Sequence, residues 1–285
     1  MKRKILMSCL LCLITLVFSC TSFVYDGRVA CRGMNFDYEG NPEVKVEIEH
    51  FANQKAFIVS FKTPIGYANV IGINESGVFA TTQSLSKRYF KSDGRPTIFI
   101  HDVFLEQIKN ATEAVSLERF VQDKRVRFSP MMYTHIMIAD KFGQAIALEV
   151  GEGENELVKK DGDIFAMANF PLYQFRDKAY DEVFGRGDQN YINVWNALLE
   201  NSSETFTLDT AIHVLEQAVI ATTECSVIFF SDTLDIYLSF DGDFDRIWHI
   251  SLEKEQIKTY KGFQETRQMS LTSKGTLKSE LMKWH

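Results

Sequence analysis

Residues 20 to 38 read CTSFVYDGRVACRGMNFDY, two strand-like segments separated by a turn. The segments Thr21 to Tyr25 and Val29 to Phe36 are rich in β-branched and aromatic residues, and Asp26-Gly27 between them is a strong turn signal. This pattern predicts a β-hairpin that begins directly after Cys20.

The same alternation of strand-like and turn-forming segments continues along the chain. It predicts one antiparallel meander that runs on through residues 44–49, 56–61, 68–73 and 78–82. Two more hairpins are predicted over 135–150 and over 156–168, and a final hairpin at 226–240 precedes a polar tail. Apolar residues at helical spacing predict helices over 100–120, 191–199 and 210–220, the last one capped by Thr207 or Asp209.

The order of these elements predicts the fold class. Strands at both ends with helices between them, without βαβ alternation or a GxGxxG loop, favour an α+β fold over a doubly wound nucleotide-binding fold. No internal repeat or linker divides the chain after residue 19, so residues 20 to 285 are predicted to form a single domain.

The N-terminus has the pattern of a secretory signal peptide. Lys2, Arg3 and Lys4 precede an uncharged run from Ile5 to Phe18 that is too short to span a bilayer. Small or aliphatic residues before Cys20 suit signal peptidase, so residues 1 to 19 are predicted to be the signal. The mature protein is then exported to the periplasm, the cell surface or the medium.

Cleavage after Ser19 would make Cys20 the N-terminal residue of the mature chain. A free α-amine has a reference pKa of about 7.7–8.0 and a thiol one of about 8.5, so a single residue would supply both a base and a nucleophile. The six histidines form no spaced pair with each other or with an acid that is typical of a metal site or a catalytic triad. No metal or organic cofactor is therefore expected.

Two other interpretations of Cys20 remain open at this point. The preceding residues could form a lipoprotein signal, in which case Cys20 carries a diacylglyceryl group and anchors the protein to a membrane. Alternatively, cleavage occurs elsewhere and Cys20 is an ordinary buried thiol. The net charge of −7 argues against a nucleic-acid partner, and no basic cluster in the sequence reverses this expectation.

Four segments in order resemble the N-terminal-nucleophile linear amide hydrolases. This group includes the choloylglycine (bile salt) hydrolases, the penicillin V acylases and the acyl-coenzyme A:6-aminopenicillanate acyltransferases. The similar segments are CTSFV (20–24) with GMNFDY (33–38), GINESG (72–77), HIMIAD (135–140) with Gly143 and Glu149, and ANFP (168–171). The resemblance extends from Cys20 to about Phe240.

The resemblance implies a fold, an activity and a set of partners. The fold is a four-layer αββα sandwich with two antiparallel sheets. The activity is hydrolysis of a linear, non-peptide carbon–nitrogen amide bond through a thioester on Cys20, or acyl transfer if an amine replaces water. The partner is then a small acyl-amide substrate, and homo-oligomers are common among relatives of this kind. The alternative, from a different class, is a lipidated surface protein with the same fold and no catalysis.

The resemblance also implies roles for four residues besides the nucleophile Cys20. Asp37 matches an aspartate that holds the new amino terminus, and Asn169 matches an asparagine whose side-chain amide faces the oxyanion. The family has a second asparagine near Thr82 or Gln83, where the amide of Gln83 could substitute. Many members carry an arginine where this chain has Met34, and Arg32, on the same strand face, is the proposed replacement.

Two further expectations concern residues late in the chain. The second arginine of the bile salt hydrolases has no match between Ala221 and Val227, which weakens bile salt hydrolysis and brings the acyltransferase-like branch nearer. The predicted mature chain keeps three cysteines, Cys20, Cys31 and Cys225, an odd number in which Cys31 and Cys225 could form one disulfide.

Overall fold

The computed structural model describes residues 19–86, 90–130, 132–202 and 205–285. The predicted signal peptide lies outside the described residues except for Ser19. The described strands are β1 (Thr21–Asp26), β2 (Ala30–Asp37), β3 (Val44–His50), β4 (Lys55–Thr63), β5 (Gly66–Asn74), β6 (Phe79–Ser84), β7 (Thr97–Phe99), β8 (Arg125–Arg127), β9 (Thr134–Ala139), β10 (Ala145–Val150), β11 (Asn155–Lys159), β12 (Ile164–Met167), β13 (Thr223–Phe230), β14 (Asp235–Phe240), β15 (Ile247–Ser251), β16 (Gln256–Lys261), β17 (Gln268–Ser270) and β18 (Thr276–Leu277). The α-helices are α1 (Ile100–Asn110), α2 (Ser116–Val121), α3 (Asp188–Glu200), α4 (Leu208–Glu216) and α5 (Lys278–Leu281).

Two eight-stranded sheets form the centre of the molecule. The first has the strand order β12-β1-β2-β13-β14-β15-β16-β17, and the second has the order β11-β10-β9-β6-β5-β4-β3-β18. Neighbouring strands in both sheets are antiparallel, whereas the short strands β7 and β8 form a separate parallel pair. The predicted α+β class with two antiparallel sheets is confirmed.

Helices cover the outer faces of both sheets, because the strands are apolar on each side. On the second sheet, Ile58 and Ala80 pack with Val103 and Phe104 of α1 in one apolar cluster. On the first sheet, α3 contacts β1 and β12, and α4 contacts β2 and β13. The inner faces of the two sheets bury the remaining apolar side chains against each other. The result is the predicted four-layer sandwich.

The predicted β1–β2 hairpin is present, but the meander and one later hairpin are divided between the sheets. β1 and β2 belong to the first sheet, and β3 to β6 follow one another in the second. The prediction of a hairpin over 156–168 is wrong, since β11 pairs with β10 and β12 pairs with β1. The chain crosses from the second sheet to the first here, and the backbone N–H of Asp26 donates a hydrogen bond to the carbonyl of Asp163 just before β12.

Two other local predictions need correction. The single helix expected over 100–120 is split after Asn110, because the side-chain amides of Asn74 and Gln54 donate to the carbonyls of Ile108 and Ala111 and cap α1. Thr207 is the N-cap of α4, which ends earlier than expected, at Glu216. The predicted polar tail instead forms β15 to β18 and α5, because its apolar residues Trp248, Ile250, Ile257, Leu271 and Leu281 are all completely buried.

Candidate active site

Cys20 lies directly before β1, at the point where this strand meets the end of β2. The register pairs Thr21 with Asn35, which places Cys20 opposite Phe36 and beside Asp37. The Cys20 side chain is 3% exposed, and its Sγ atom accepts a hydrogen bond from the Asp37 backbone N–H at 3.4 Å. The thiol in turn donates to the Asp37 carbonyl at 3.5 Å. The end of β2 therefore holds the sulfur in place.

A pocket of about 580 Å³ is lined by both Cys20 and Asp37. Most of its wall is apolar or aromatic and comes from β2, from the β4–β5 hairpin and from the segments that follow β6 and β8, with Phe36, Phe61, Ile65, Tyr67, Leu85 and Met132 among the lining residues. A volume of this size accommodates a small molecule. The pocket therefore gives an apolar ligand access to the thiol.

Asp37 is a buried carboxyl group that has no cationic partner among the residues that the structure describes. Its Oδ1 atom accepts a hydrogen bond from the Thr223 hydroxyl at 2.6 Å, and its buried Oδ2 atom has no hydrogen-bond partner among the described residues. Burial raises the pKa of Asp37 to about 7, the Thr223 hydroxyl opposes this rise, and the nearby Glu224 adds to it. A positive charge placed beside Oδ2 would favour the ionised form.

The thiol of Cys20 is held in its neutral form. Burial raises its pKa far above the ordinary value, and the adjacent carboxyl of Asp37 raises it further. The thiolate is the nucleophilic form of cysteine, so a thiol in this environment needs a base within reach. No histidine other than His101 lines the pocket along the described residues, and burial lowers the pKa of His101.

Asn169 and Gln83 lie next to the site, but neither is among the residues that line the pocket. Nδ2 of Asn169 donates to the carbonyl of Ser84 at 2.7 Å and contacts its hydroxyl at 3.2 Å. Nε2 of Gln83 donates to the hydroxyl of Ser22 at 2.6 Å. Ser84 and Thr82 line the pocket in their place, so any direct role of the two amides requires one of their N–H groups to turn toward it.

Arg32 is at the opposite end of the β1–β2 hairpin and does not line the pocket. It pairs with Val24 in the strand register, four residues from Phe36, which corresponds to roughly 13 Å along the strand. Its completely buried guanidinium forms an ion pair with Asp26 and donates to backbone carbonyls. The structure therefore does not bring Arg32 to Cys20. Two residues on the same face of a strand point in the same direction, but they can still lie at opposite ends of that strand.

The segment before Cys20 is buried against the start of α3. Ser19 is 7% exposed, and Nδ2 of Asn190 lies 3.1 Å from its hydroxyl and 3.4 Å from its carbonyl. A Cβ atom on Gly187 would lie only 3.0 Å from the Ser19 hydroxyl. The peptide bond that the predicted cleavage would break is thus enclosed by α3 and the loop before it.

The structure places three further residues at the site that the sequence did not indicate. Thr223 binds Asp37, Ser84 lines the pocket and binds Asn169, and Arg186 lines the pocket from the loop before α3. Only Arg186 carries a recognisable signal, since it stands between two glycines in the sequence Gly185-Arg186-Gly187. Such spacing is typical of a turn with unusual backbone geometry.

The three described cysteines are all free and buried. Cys31 pairs with Phe230 and Cys225 pairs with Phe36, which separates the two cysteines by five residues along β13. This separation is several times the Cα distance that a disulfide spans, so Cys31 and Cys225 do not form the disulfide that the sequence left possible. Cys20, Phe36 and Cys225 lie in one row across three neighbouring strands.

The described residues contain neither a cluster suited to a metal ion nor a helix suited to cross a membrane. No group of three or more His, Cys, Asp or Glu side chains there is arranged to hold a metal ion. No helix in the same residues has both the length and the apolar character needed to cross a membrane.

Comparisons with known proteins place the chain by its structure. No model of a known protein family matches the sequence, and no curated protein is similar to it at a significant level. A variant of the conjugated bile acid hydrolase from Clostridium perfringens superposes with a TM-score of 0.62 and 15% identity, over 85% of this chain and 97% of that one. Penicillin V acylase from Agrobacterium tumefaciens gives a TM-score of 0.61 and 12% identity, over 84% and 90% of the two chains.

A third similar structure is the Caenorhabditis elegans ortholog of N-acylethanolamine-hydrolyzing acid amidase. It has a TM-score of 0.52 and 13% identity, over 74% of this chain and 93% of that one. These neighbours are linear amide hydrolases with the N-terminal-nucleophile hydrolase fold. The resemblance inferred from the sequence is confirmed at the level of the fold, which is what a likeness at such low identity establishes.

Proposed function

We propose that the protein is an exported cysteine amidase that cleaves a linear, non-peptide carbon–nitrogen amide bond through a thioester on an N-terminal Cys20. The observation that carries this proposal is the position of the Cys20 thiol. It lines an apolar pocket of about 580 Å³, directly before a strand and beside a buried carboxyl group for which the described part of the chain supplies no cationic partner. The fold shared with amide hydrolases supports the same chemistry.

The reaction begins once the bond between Ser19 and Cys20 has been cut. The new α-amine accepts the thiol proton, which yields a thiolate and an ammonium group on one residue. The carboxylate of Asp37 stabilises this ammonium, and the ammonium in turn lowers the pKa of Asp37 from its raised value. Cleavage would therefore supply the charge that Asp37 lacks in the chain with Ser19 attached.

The thiolate then attacks the acyl carbon of the substrate. The carbonyl oxygen of the substrate becomes an oxyanion, and the α-ammonium gives its proton to the nitrogen of the departing amine. The carbon–nitrogen bond breaks and leaves a thioester on Cys20. Water, deprotonated by the α-amine, attacks this thioester and releases the acid; if an amine attacks instead, the product is a new amide.

Asn169 and Gln83 can contribute to binding the oxyanion without losing all their present bonds. Each amide nitrogen has two hydrogens, and the short bonds to the Ser84 carbonyl and the Ser22 hydroxyl use one hydrogen of each nitrogen. The longer contact of Asn169 with the Ser84 hydroxyl is easily given up, since this hydroxyl can rotate. An uncharged N–H donor of this kind stabilises an oxyanion without transferring a proton.

The lipoprotein alternative is disfavoured by the burial of Cys20. A diacylglyceryl group is attached through the sulfur and must reach a membrane, whereas this sulfur is enclosed and hydrogen-bonded to the backbone of Asp37. Lipidation would also block both the thiol and the amine. The two functions therefore exclude each other at this residue.

The test is to trap the thioester. The purified protein is mixed with a panel of N-acyl amines, quenched in acid within seconds and analysed by intact mass and peptide mapping. We expect an acyl mass increment on the peptide that begins with Cys20, and no increment in a Cys20→Ser variant treated in the same way. Cys31→Ala is the matched control, because Cys31 is also buried but lies on the other strand of the hairpin, near its turn, and outside the pocket lining.

Hydrolysis of the substrate panel without an adduct on Cys20, or hydrolysis that survives Cys20→Ser, would overturn the proposal. Adding a second amine to the same reaction distinguishes the two outcomes of the thioester. Release of free acid alone identifies a hydrolase, and formation of a new amide identifies an acyltransferase.

A further inference from the structure

We propose that Arg186 is a specificity-determining residue that binds a carboxylate on the amine portion of the substrate. This inference rests on the function proposed above and adds the class of substrate, an N-acyl amine whose amine carries a carboxylate. It starts from the charged residues of the pocket. Among the described lining residues, Arg186 is the only lysine or arginine and Asp37 is the only acid.

Arg186 has no partner within the part of the chain that the structure describes. It lines the pocket and is half-buried, yet it makes no hydrogen bond or ion pair there, and it is not paired with Asp37. Two other cations with little exposure are paired, Arg32 with Asp26 and Lys278 with Glu224. An arginine that lines a largely apolar pocket and has no partner among the described residues is therefore suited to bind a ligand anion.

The backbone of Arg186 is held rigidly. Gly185 and Gly187, on either side, have φ angles of 137° and 77°, which residues other than glycine rarely adopt. A Cβ atom on Gly185 would lie 2.9 Å from Cβ of Phe170. Asp188 closes the turn, since its Oδ2 atom accepts from the Gly185 N–H at 3.0 Å. The loop that carries Arg186 is thus packed against the segment that contains Asn169.

The same contacts place Arg186 on the amine side of the reaction. Gly187 lies against Ser19 and Ala168, so the loop borders the peptide bond that joins Ser19 to Cys20. After cleavage this is the location of the α-amine of Cys20. In the proposed mechanism the α-ammonium protonates the departing nitrogen, so the amine portion of the substrate must lie on this side. An anion carried on that portion then comes within reach of the Arg186 guanidinium.

The remaining wall suits the acyl portion. The β4–β5 hairpin contributes Ile65 and Tyr67, and Phe61 and Leu85 continue the apolar surface. The imidazole of His101 also lines the pocket, and burial lowers its pKa, so at neutral pH it does not compete with Arg186 for an anion. An apolar acyl group and a charged amine group would therefore occupy different parts of one pocket.

The experiment measures binding rather than turnover. A Cys20→Ala variant, purified after expression of the full chain, is titrated by calorimetry with N-dodecanoylglycine and with N-dodecanoylethanolamine, which differ chiefly in a carboxylate against a hydroxymethyl group. We expect the glycine compound to bind at least tenfold more tightly, because charge-assisted hydrogen bonds to a guanidinium are stronger than neutral ones.

Adding Arg186→Gln to this variant should abolish the preference and leave the affinity for the ethanolamine compound unchanged. The matched control is Arg176→Gln, since Arg176 belongs to the same connecting region but stacks on Tyr173 and does not line the pocket. It should keep the preference. Circular dichroism and the melting temperature verify that each variant is folded.

Equal affinity for the two compounds, no affinity for either, or a preference that survives Arg186→Gln would overturn the role of Arg186. The result is separable from the proposed function, because a Cys20→Ala protein binds without thioester chemistry. A preference that depends on Arg186, combined with the lack of an adduct on Cys20 in the unmodified protein, would support the binding site and reject the amidase mechanism.

Discussion

Each end of the β1–β2 hairpin carries a carboxyl group, and the two groups have different side-chain partners. At the turn end, Asp26 forms ion pairs with Arg32 and with Lys160, the latter at 3.0 Å. At the pocket end, the Thr223 hydroxyl is the only side chain among the described residues that binds Asp37, and burial raises the pKa of Asp37 to about 7. We call these the paired end (Asp26, Arg32 and Lys160) and the unpaired end (Cys20 and Asp37).

The difference distinguishes a cluster of buried ion pairs from the site at which we propose catalysis. Buried charges that neutralise each other hold the two sheets together, since Arg32 on the first sheet also donates to the carbonyl of Asp140 after β9 of the second. An uncompensated carboxyl beside a buried thiol is unfavourable by itself. In the proposed mechanism this carboxyl group stabilises a positive charge, the α-ammonium that forms on Cys20.

The largest expected effect is on catalysis at the unpaired end. Cys20→Ser should lower the rate of amide hydrolysis by about four orders of magnitude, because the less acidic hydroxyl cannot replace the thiol as nucleophile. The melting temperature should change little, since the side chains have similar volume. Steady-state kinetics and thermal denaturation measure the two effects, and Cys31→Ala serves as the control that keeps activity.

A second prediction concerns stability at the paired end. Arg32→Met should lower the free energy of unfolding by about 3–5 kcal/mol, because it removes the buried ion pair with Asp26 and the guanidinium donors to the carbonyls of Tyr25 and Asp140. Urea denaturation measures this loss, and the exposed pair of Arg95 with Asp93 provides the control, whose disruption should cost less than about 1 kcal/mol. A selective loss of activity with full stability would instead place Arg32 in the active site.

The third prediction uses the raised pKa of Asp37 in a chain that keeps Ser19. The native state binds a proton on Asp37 up to about pH 7, whereas the unfolded state releases it near pH 4. The contribution of Asp37 to the free energy of unfolding is therefore fully present below pH 4 and is lost as the pH rises through 7. The free energy of unfolding should fall by roughly 2–3 kcal/mol between pH 5 and pH 8. Urea denaturation across this range should show the decline, and Asp37→Asn should remove it.

The same measurement can sharpen the role of cleavage. In a chain that begins with Cys20, the α-ammonium should lower the pKa of Asp37, so the decline in stability above pH 5 should become smaller. An identical pH dependence with and without Ser19 would mean that the new amino terminus does not reach Asp37.

The smallest expected effect is the loss of the Thr223 hydroxyl that binds Asp37. Thr223→Val should lower the free energy of unfolding at pH 8 by about 1.5 kcal/mol, because the ionised carboxyl loses its hydroxyl donor. The loss should be smaller at pH 5, where Asp37 is protonated. Ser239→Ala, which removes a hydroxyl bonded to a carbonyl elsewhere, should show no such pH dependence.

The two ends also show how far the sequence alone can predict the fold and the site. The β1–β2 hairpin and the strands β3 to β6 follow from turn signals and period-two patterns, because such patterns depend on neighbouring residues. The separation of β11 from β12 does not follow, since a turn at Asp161-Gly162 is compatible with either a hairpin or a crossing between sheets. The strands of the tail contain few apolar residues, and these become evident only when their burial is known.

Site prediction had a similar limit. The sequence indicates Cys20 and Asp37 because the resemblance covers the hairpin that carries them. The structure places the two residues in contact. Arg32 was proposed from its strand face, yet its place along the strand puts it at the paired end. Arg186 comes from a loop that is distant in sequence, so only the packing of Gly187 against Ser19 reveals its proximity to the site.

The most direct test of the central claim is the intact mass and N-terminal sequence of the protein purified after expression of the full chain in an exporting host. Our account predicts a chain that begins with an unmodified Cys20, with both the α-amine and the thiol free. A diacylglyceryl mass increment on Cys20, or a chain that begins at another residue, would contradict it.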